Sequence, residues 1–290
     1  MCRFVLYLGD PIRLSSLITD PDNSLIHQSF HSHERREPLN GDGFGLTWYP
    51  PDANGEPALF RSISPAWNNR NLRELARITT SHCVLAHVRA ASQGSVCEPN
   101  CHPFKWRSYA FMHNGNVGGF QGWKRHLIEA LSDEAFATIE GNTDSEHLFA
   151  LLIDEIRATS DADSGTALGR AMERTLNKLL TMSKRFGGGA CYLNLAVSDG
   201  RSAVVTRCTT EEKAATLHLH AGRSYTCEEG LCRMIEPEEG AGAVIVSSER
   251  LSDDPGWSMV PMNHMVTVGA GGQATVTPLE LDGLVRQRPG

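Results

Sequence analysis

With 290 residues, 40% of them apolar, and 27 glycines, the chain has the make-up of a folded globular protein able to bury a large core without staples. Its 34 acidic against 27 basic side chains leave a net charge of −7, which argues against a nucleic-acid footprint. Apolar runs such as Phe4–Leu8 and Leu148–Ile153 fall far short of the ~18 residues of a membrane span, and Asp10-Pro11 interrupt any secretory pattern.

The expectation is therefore a cytoplasmic protein with no nucleic acid and no membrane as partner. Eight scattered cysteines do not read as a disulfide scaffold, and a reducing compartment is expected. Cys97-x3-Cys101, followed by His102, offers half a zinc site, but no second pair with ligand spacing follows. His218 and His220 share one face of a strand, as two solvated histidines also would. No metal and no cofactor are expected.

In chain order, Cys2–Gly9 reads as a buried strand, Gly43–Tyr49 as a second and Ala58–Ile63 as a third, with a Pro/Asp/Gly turn between the last two. Apolar residues at 72, 75, 76 and 78 predict an amphipathic helix over Asn68–Ile78. Strands Val84–Val88 and Tyr109–His113 follow, separated by a Cys/Pro/Asn loop. Helices are predicted over Trp123–Leu131, Ser145–Ile156 and Thr166–Phe186, the last stopped by Gly187-Gly188-Gly189. Strands Cys191–Val197, Ala203–Arg207, Leu217–His220, Ala243–Ser247, Met265–Val268 and Ala274–Thr277 complete the chain. Strands, then helices, then strands predict layered α+β packing in one domain over 1–290, with 260–290 as C-terminal strands and tail.

Cys2 is the first residue with chemical content. Removal of Met1 would put a thiol and an α-amine of pKa ~7.7–8.0 on one residue, a nucleophile with its own base. Taken alone, Cys2 reads better as a small apolar residue filling a strand. Arg89 ends an apolar strand, where a guanidinium is costly unless it meets an anion such as a carboxylate; a structural ion pair is the other reading. Asn114-Gly115 offers a side-chain amide beside a backbone N–H, the parts of an oxyanion hole, and is also a common hairpin turn. Thr143-x-x-Glu146 reads as a helix capping box, and Asp144 within it is an anion able to hold an ammonium group.

The ordered set Met1-Cys2, Asn40-Gly41-Asp42-Gly43-Phe44-Gly45, His87-Val88-Arg89, Asn100-Cys101-His102-Pro103-Phe104, His113-Asn114-Gly115 and Thr143-Asp144-Ser145-Glu146 resembles the class II glutamine amidotransferases among the N-terminal-nucleophile hydrolases. The resemblance implies a four-layer αββα sandwich with Cys2 as nucleophile. It implies Arg89 on a glutamyl α-carboxylate, Asp144 on the α-ammonium, His113 beside them in substrate binding, and Asn114 with the Gly115 N–H as oxyanion hole. Val246-Ser247-Ser248-Glu249-Arg250-Leu251 and Asp254-Pro255-Gly256-Trp257 extend it to a branch without synthase domains. That branch includes an ergothioneine-pathway γ-glutamyl hydrolase and the amidotransferase-like subunit of a fungal glutathione-degradation complex. The latter is similar also through Pro65–Leu72.

Synthase-linked members read Arg-Trp-Ala-Thr-His-Gly where this chain has Arg89-Ala90-Ala91-Ser92-Gln93-Gly94, and carry an Asn where it has Gly119. Smaller residues there predict a wider leaving-group side. The expected activity is hydrolysis of a γ-glutamyl amide, of glutathione or a related thiol compound, with a metallopeptidase-like protein as a partner implied by the resemblance. A glutaminase subunit supplying ammonia to a separate synthase, and a catalytically silent scaffold, are the alternatives.

Overall fold

The structure is a computed structural model that describes residues 2–34, 39–91, 94–159, 165–228, 230–235 and 242–282. Met1, Ser92 and Gln93, and the end of the expected 260–290 tail, lie outside the described residues. The strands are β1 (Arg3–Arg13), β2 (Phe44–Trp48), β3 (Ala58–Ser62), β4 (Thr80–Val88), β5 (Phe104–Trp106), β6 (Tyr109–Asn116), β7 (Tyr192–Ser198) and β8 (Ala203–Thr209). They continue with β9 (His218–Gly222), β10 (Ser224–Glu228), β11 (Leu231–Ile235), β12 (Ala243–Ser247), β13 (Ser258–Met259), β14 (His264–Val268) and β15 (Ala274–Pro278). The helices are α1 (Ser15–Ile18), α2 (Leu25–Phe30), α3 (Arg70–Ile78), α4 (Phe120–Glu129), α5 (Asp133–Phe136), α6 (Asp144–Arg157) and α7 (Gly165–Arg185).

Two antiparallel sheets carry the fold. One runs β13-β9-β12-β1-β4-β2-β3 and the other β15-β14-β8-β7-β6-β5. Alternation along each strand divides the apolar side chains among three cores. Phe4, Leu6 and Leu8 of β1 meet Ala110 and Met112 of β6 and Val205 of β8 between the sheets. Val5 and Tyr7 point the other way, to a layer made by α1, α2, α3 and the β10–β11 hairpin. Phe111, Leu193, Leu195 and Val197 face α4 to α7. Helices, sheet, sheet, helices is the four-layer αββα sandwich that the motifs imply.

Two differences from the sequence reading have clear causes. The region between β1 and β2 carries no predicted element, yet forms α1 and α2, the latter capped where Ser24 accepts from the His27 N–H. One turn or two is too short for a periodic signal. The β10–β11 hairpin also escapes prediction. Its register sets Cys227 opposite Cys232, and these two form a disulfide. The other six cysteines are free, and this one cross-link is not a reading that the cysteine spacing offered.

Candidate active site

Cys2 stands immediately before β1, two residues ahead of Phe4, whose side chain lies between the two sheets. Its sulfur lies against the Ala90 backbone, accepting from the Ala90 N–H at 3.4 Å and reaching the Ala90 carbonyl at 3.5 Å. Burial pushes the thiol above its ordinary pKa. The Ala90 hydrogen bond and the charges of the amino terminus, Arg89 and Arg3 offset this only in part. A protonated thiol needs a base to become a nucleophile.

Arg3 has the opposite parity and points to the helical layer. There its guanidinium pairs with Glu249 at 2.8 Å and donates to the Cys2 carbonyl at 2.9 Å and to Ser32 Oγ at 2.6 Å. Burial alone would raise the Glu249 carboxyl. The bonds from Ser32 and the His33 N–H, with the Arg3 charge, outweigh it and hold the group below the usual range.

Asn114 comes from the other sheet. Its even parity on β6, shared with Ala110 and Met112, directs it into the space between the sheets toward β1. Asn114 Nδ2 donates to Ser248 Oγ at 3.2 Å, and the same hydroxyl accepts from the Phe4 N–H at 3.0 Å. Ser248 thus bridges the oxyanion candidate to the strand that carries Cys2. An amide nitrogen has two protons, so one stays available for a ligand.

The turn expected at Asn114-Gly115 is absent: β6 runs on to Asn116, with Gly115 opposite Leu193. Glycine is required because a Cβ would collide with the Tyr192 carbonyl oxygen. That carbonyl accepts from His113 Nε2 at 2.9 Å, so a neutral His113 takes its second bond at Nδ1, from the Ser145 hydroxyl at 2.9 Å. Both ring nitrogens are thereby engaged by protein, on the helix-facing side of the sheet.

Arg89 follows β4 and is 97% shielded, at 3% exposure. Its Nη1 donates to the Ser95 carbonyl at 3.1 Å, and its backbone is held to Gly43 and Asp42. Asp144 opens α6, buried at 4% exposure; its carboxylate accepts from the Val117 N–H at 2.7 Å and the Ser145 N–H at 2.9 Å. Half of the expected capping box forms, since Thr143 Oγ1 accepts from the Glu146 N–H. The Glu146 carboxylate turns instead to the N–H groups of Glu140 and Gly141.

The other polar candidates have local partners. His218 pairs with Glu34 at 3.0 Å, and His220 with Asp254 at 3.5 Å while stacking on Trp257. Among the described residues no group of three or more His, Cys, Asp or Glu could hold a metal ion, and no helix is long and apolar enough to cross a membrane. An open cavity of about 900 Å³ lies beside these pairs, lined by His33, Glu34, Arg233, Arg250 and Asp254 among others.

Sequence reasoning assigned nothing to Arg3, Ser248, Glu249 or Asn100. Asn100, Ser248 and Glu249 lie inside motifs of resemblance, the only available signal for them.

The family model for class II glutamine amidotransferases matches residues 18–282. "Probable glutamine amidotransferase DUG3" of Saccharomyces cerevisiae is 41% identical over 92% of this chain and 82% of its own length. Gamma-glutamyl-hercynylcysteine sulfoxide hydrolase of Mycolicibacterium smegmatis is 28% identical, over 96% of this chain and all of its own. A solved class II domain protein from Silicibacter pomeroyi superposes with a TM-score of 0.64 at 30% identity, covering 96% of this chain and 99% of that one. The phosphoribosylpyrophosphate amidotransferase of Bacillus subtilis, at 16% identity and a TM-score of 0.59, shares the fold over 97% of this chain and half of its own. Matched along nine-tenths of its length, over all of the six-stranded sheet and every strand of the seven-stranded one except β1, this chain belongs to the class II glutamine amidotransferases and is a hydrolase of that family.

Proposed function

We propose that this chain hydrolyses the γ-glutamyl amide bond of glutathione or a related γ-glutamyl thiol compound through a Cys2 thioester, releasing glutamate. The observation that supports the reading is the hydroxyl of Ser248, which accepts from Asn114 on one sheet and from the Phe4 N–H, two residues after Cys2, on the other. After loss of Met1, the Cys2 α-amine takes the thiol proton and the thiolate attacks the γ-carbonyl. The free Asn114 amide proton and the Gly115 N–H take the charge that develops on oxygen. The amine returns its proton to the departing nitrogen, and water then cleaves the thioester. Arg89 binds the α-carboxylate and Asp144 the α-ammonium, with His113 acting in binding by holding Ser145 and the Tyr192 carbonyl.

The choice of a leaving group larger than ammonia is supported by the small Ala90 beside the thiol and by the name of the mycobacterial relative. The name of the yeast relative favours a second reading, glutamine hydrolysis with ammonia passed to another enzyme. A metallopeptidase-like partner belongs to the first reading.

The test is a panel of glutamine, glutathione and a γ-glutamyl sulfoxide, read by glutamate release, with and without candidate partners. Higher kcat/KM for the thiol compounds is expected. Preference for glutamine throughout selects the second reading. Intact mass should lack Met1, and Cys2→Ala should be folded and inactive; a Cys2→Ala protein that releases glutamate at the wild-type rate refutes the mechanism.

A further inference from the structure

Arg89 and Asp144 come from different parts of the sandwich, one after β4 and the other at the head of α6. A glutamyl ligand held by both requires a fixed distance between them. One side chain spans that gap. Asn100 is fully buried, in the loop between β4 and β5. Its Nδ2 donates to the Ser95 carbonyl at 2.9 Å, the same oxygen on which Arg89 Nη1 rests at 3.1 Å. Nδ2 also donates to Asn142 Oδ1 at 2.9 Å, and Asn100 Oδ1 accepts the Asn142 N–H at 2.9 Å. Asn142 lies two residues before Asp144 and one before the Thr143 cap.

The surroundings are shaped to this amide. A Cβ at Gly141 would collide with Asn100 Oδ1, and one at Gly94 would come within 2.6 Å of Asn142 Oδ1 and 3.0 Å of Asn100 Nδ2. The Glu146 carboxylate fixes the Glu140 and Gly141 N–H groups behind it. The hydrogen bonds of the carboxamide thus run to the Ser95 carbonyl on the Arg89 side and to Asn142 on the Asp144 side.

We infer that Asn100 is a positioning residue that sets the spacing of the two clamps, so that ligands with both an α-carboxylate and an α-ammonium are selected. The inference rests on the γ-glutamyl reading above. Asn100→Asp has the same shape and keeps the acceptor for the Asn142 N–H. It loses both donated bonds and sets an anionic oxygen against the Ser95 carbonyl and Asn142 Oδ1.

The test compares two reagents that alkylate Cys2, followed by peptide mass: the glutamine-shaped 6-diazo-5-oxo-norleucine, which needs the clamps, and iodoacetamide, which does not. In Asn100→Asp the first rate should fall at least tenfold while the second stays within twofold, and KM for a γ-glutamyl substrate should rise more than kcat falls. Asn142→Ala, at an exposed position, removes one bond and should shift the same ratio by a smaller factor; it carries the test if Asn100→Asp does not fold. An unchanged ratio in the folded variants, or parallel slowing with both reagents, overturns the positioning role. A wild-type protein with no preference for the glutamine-shaped reagent overturns the γ-glutamyl reading itself, and the inference with it.

Discussion

Arg3 and Glu249 pair at 2.8 Å with 2% and 1% of their side chains exposed, and the same guanidinium holds the carbonyl of Cys2. The backbone of Cys2, the proposed nucleophile, is therefore anchored by a buried ion pair. Removing one member of a buried pair leaves the other desolvated and uncompensated, at a cost of about 3–5 kcal/mol. Glu249→Gln, which keeps the size, should lose about 3 kcal/mol in urea unfolding and lower kcat as the Cys2 carbonyl loosens. A loss below about 1 kcal/mol would mean that the pair does not anchor the strand.

Asn114 and Ser248 give a graded prediction. Asn114→Ala removes the proposed transition-state donor, and kcat should drop by about 10²–10³ with KM little changed. Ser248→Ala keeps the amide but frees it from β1, so kcat should fall by roughly tenfold, the effect expected of a lost neutral hydrogen bond. Equal effects from the two substitutions would contradict a bridging role for Ser248.

The buried strand that follows Cys2 was legible, because Phe4–Leu8 is an unbroken apolar run. So was the helix start at Thr143, where cap and first-turn acids coincide. Ser248 was not legible as a bridge, since its partner Asn114 is 134 residues away and no local pattern encodes such a bond. Asn100 was hidden for the same reason, its partner Asn142 lying 42 residues on. Asn114-Gly115 misled in one respect. The pair is a strong turn signal in isolation, but pairing with β7 keeps it extended, and the glycine answers the close approach of Tyr192 rather than a turn.

The clamps should respond to shape as well as charge. Arg89→Lys retains the cation but not the planar fork that matches a carboxylate. Asp144→Asn loses the charge opposite an ammonium and weakens the bonds from the Val117 and Ser145 N–H groups. Each should lower kcat/KM for γ-glutamyl substrates by roughly ten- to a hundredfold, the equivalent of about 1.5–3 kcal/mol for a charged hydrogen bond. Unchanged kcat/KM in both variants would reduce the two residues to structural roles.

Buried histidines set the acid limit of stability. Burial holds His87 down to about 3 and His147 down to about 4, and lowers His102 and His113 as well. In the unfolded chain these groups titrate near ~6.5. Below that pH the unfolded state binds protons that the folded state refuses, so stability is complete above pH ~6.5 and falls as the pH drops toward the folded-state values. Each histidine contributes up to about 1.4 kcal/mol per pH unit in that window. His102 packs against His87 with ring centroids 4.2 Å apart and the rings tilted by 31°, and neither of its ring nitrogens has a hydrogen-bond partner among the described residues. His102→Phe should therefore fold, and its stability between pH 6 and 5 should fall less steeply than the wild type's by about one proton's worth of slope. Urea unfolding at pH 7.5, 6.0 and 5.0 measures this. An unchanged slope in the variant, or wild-type stability that rises toward pH 5, would show that His102 takes up its proton without unfolding.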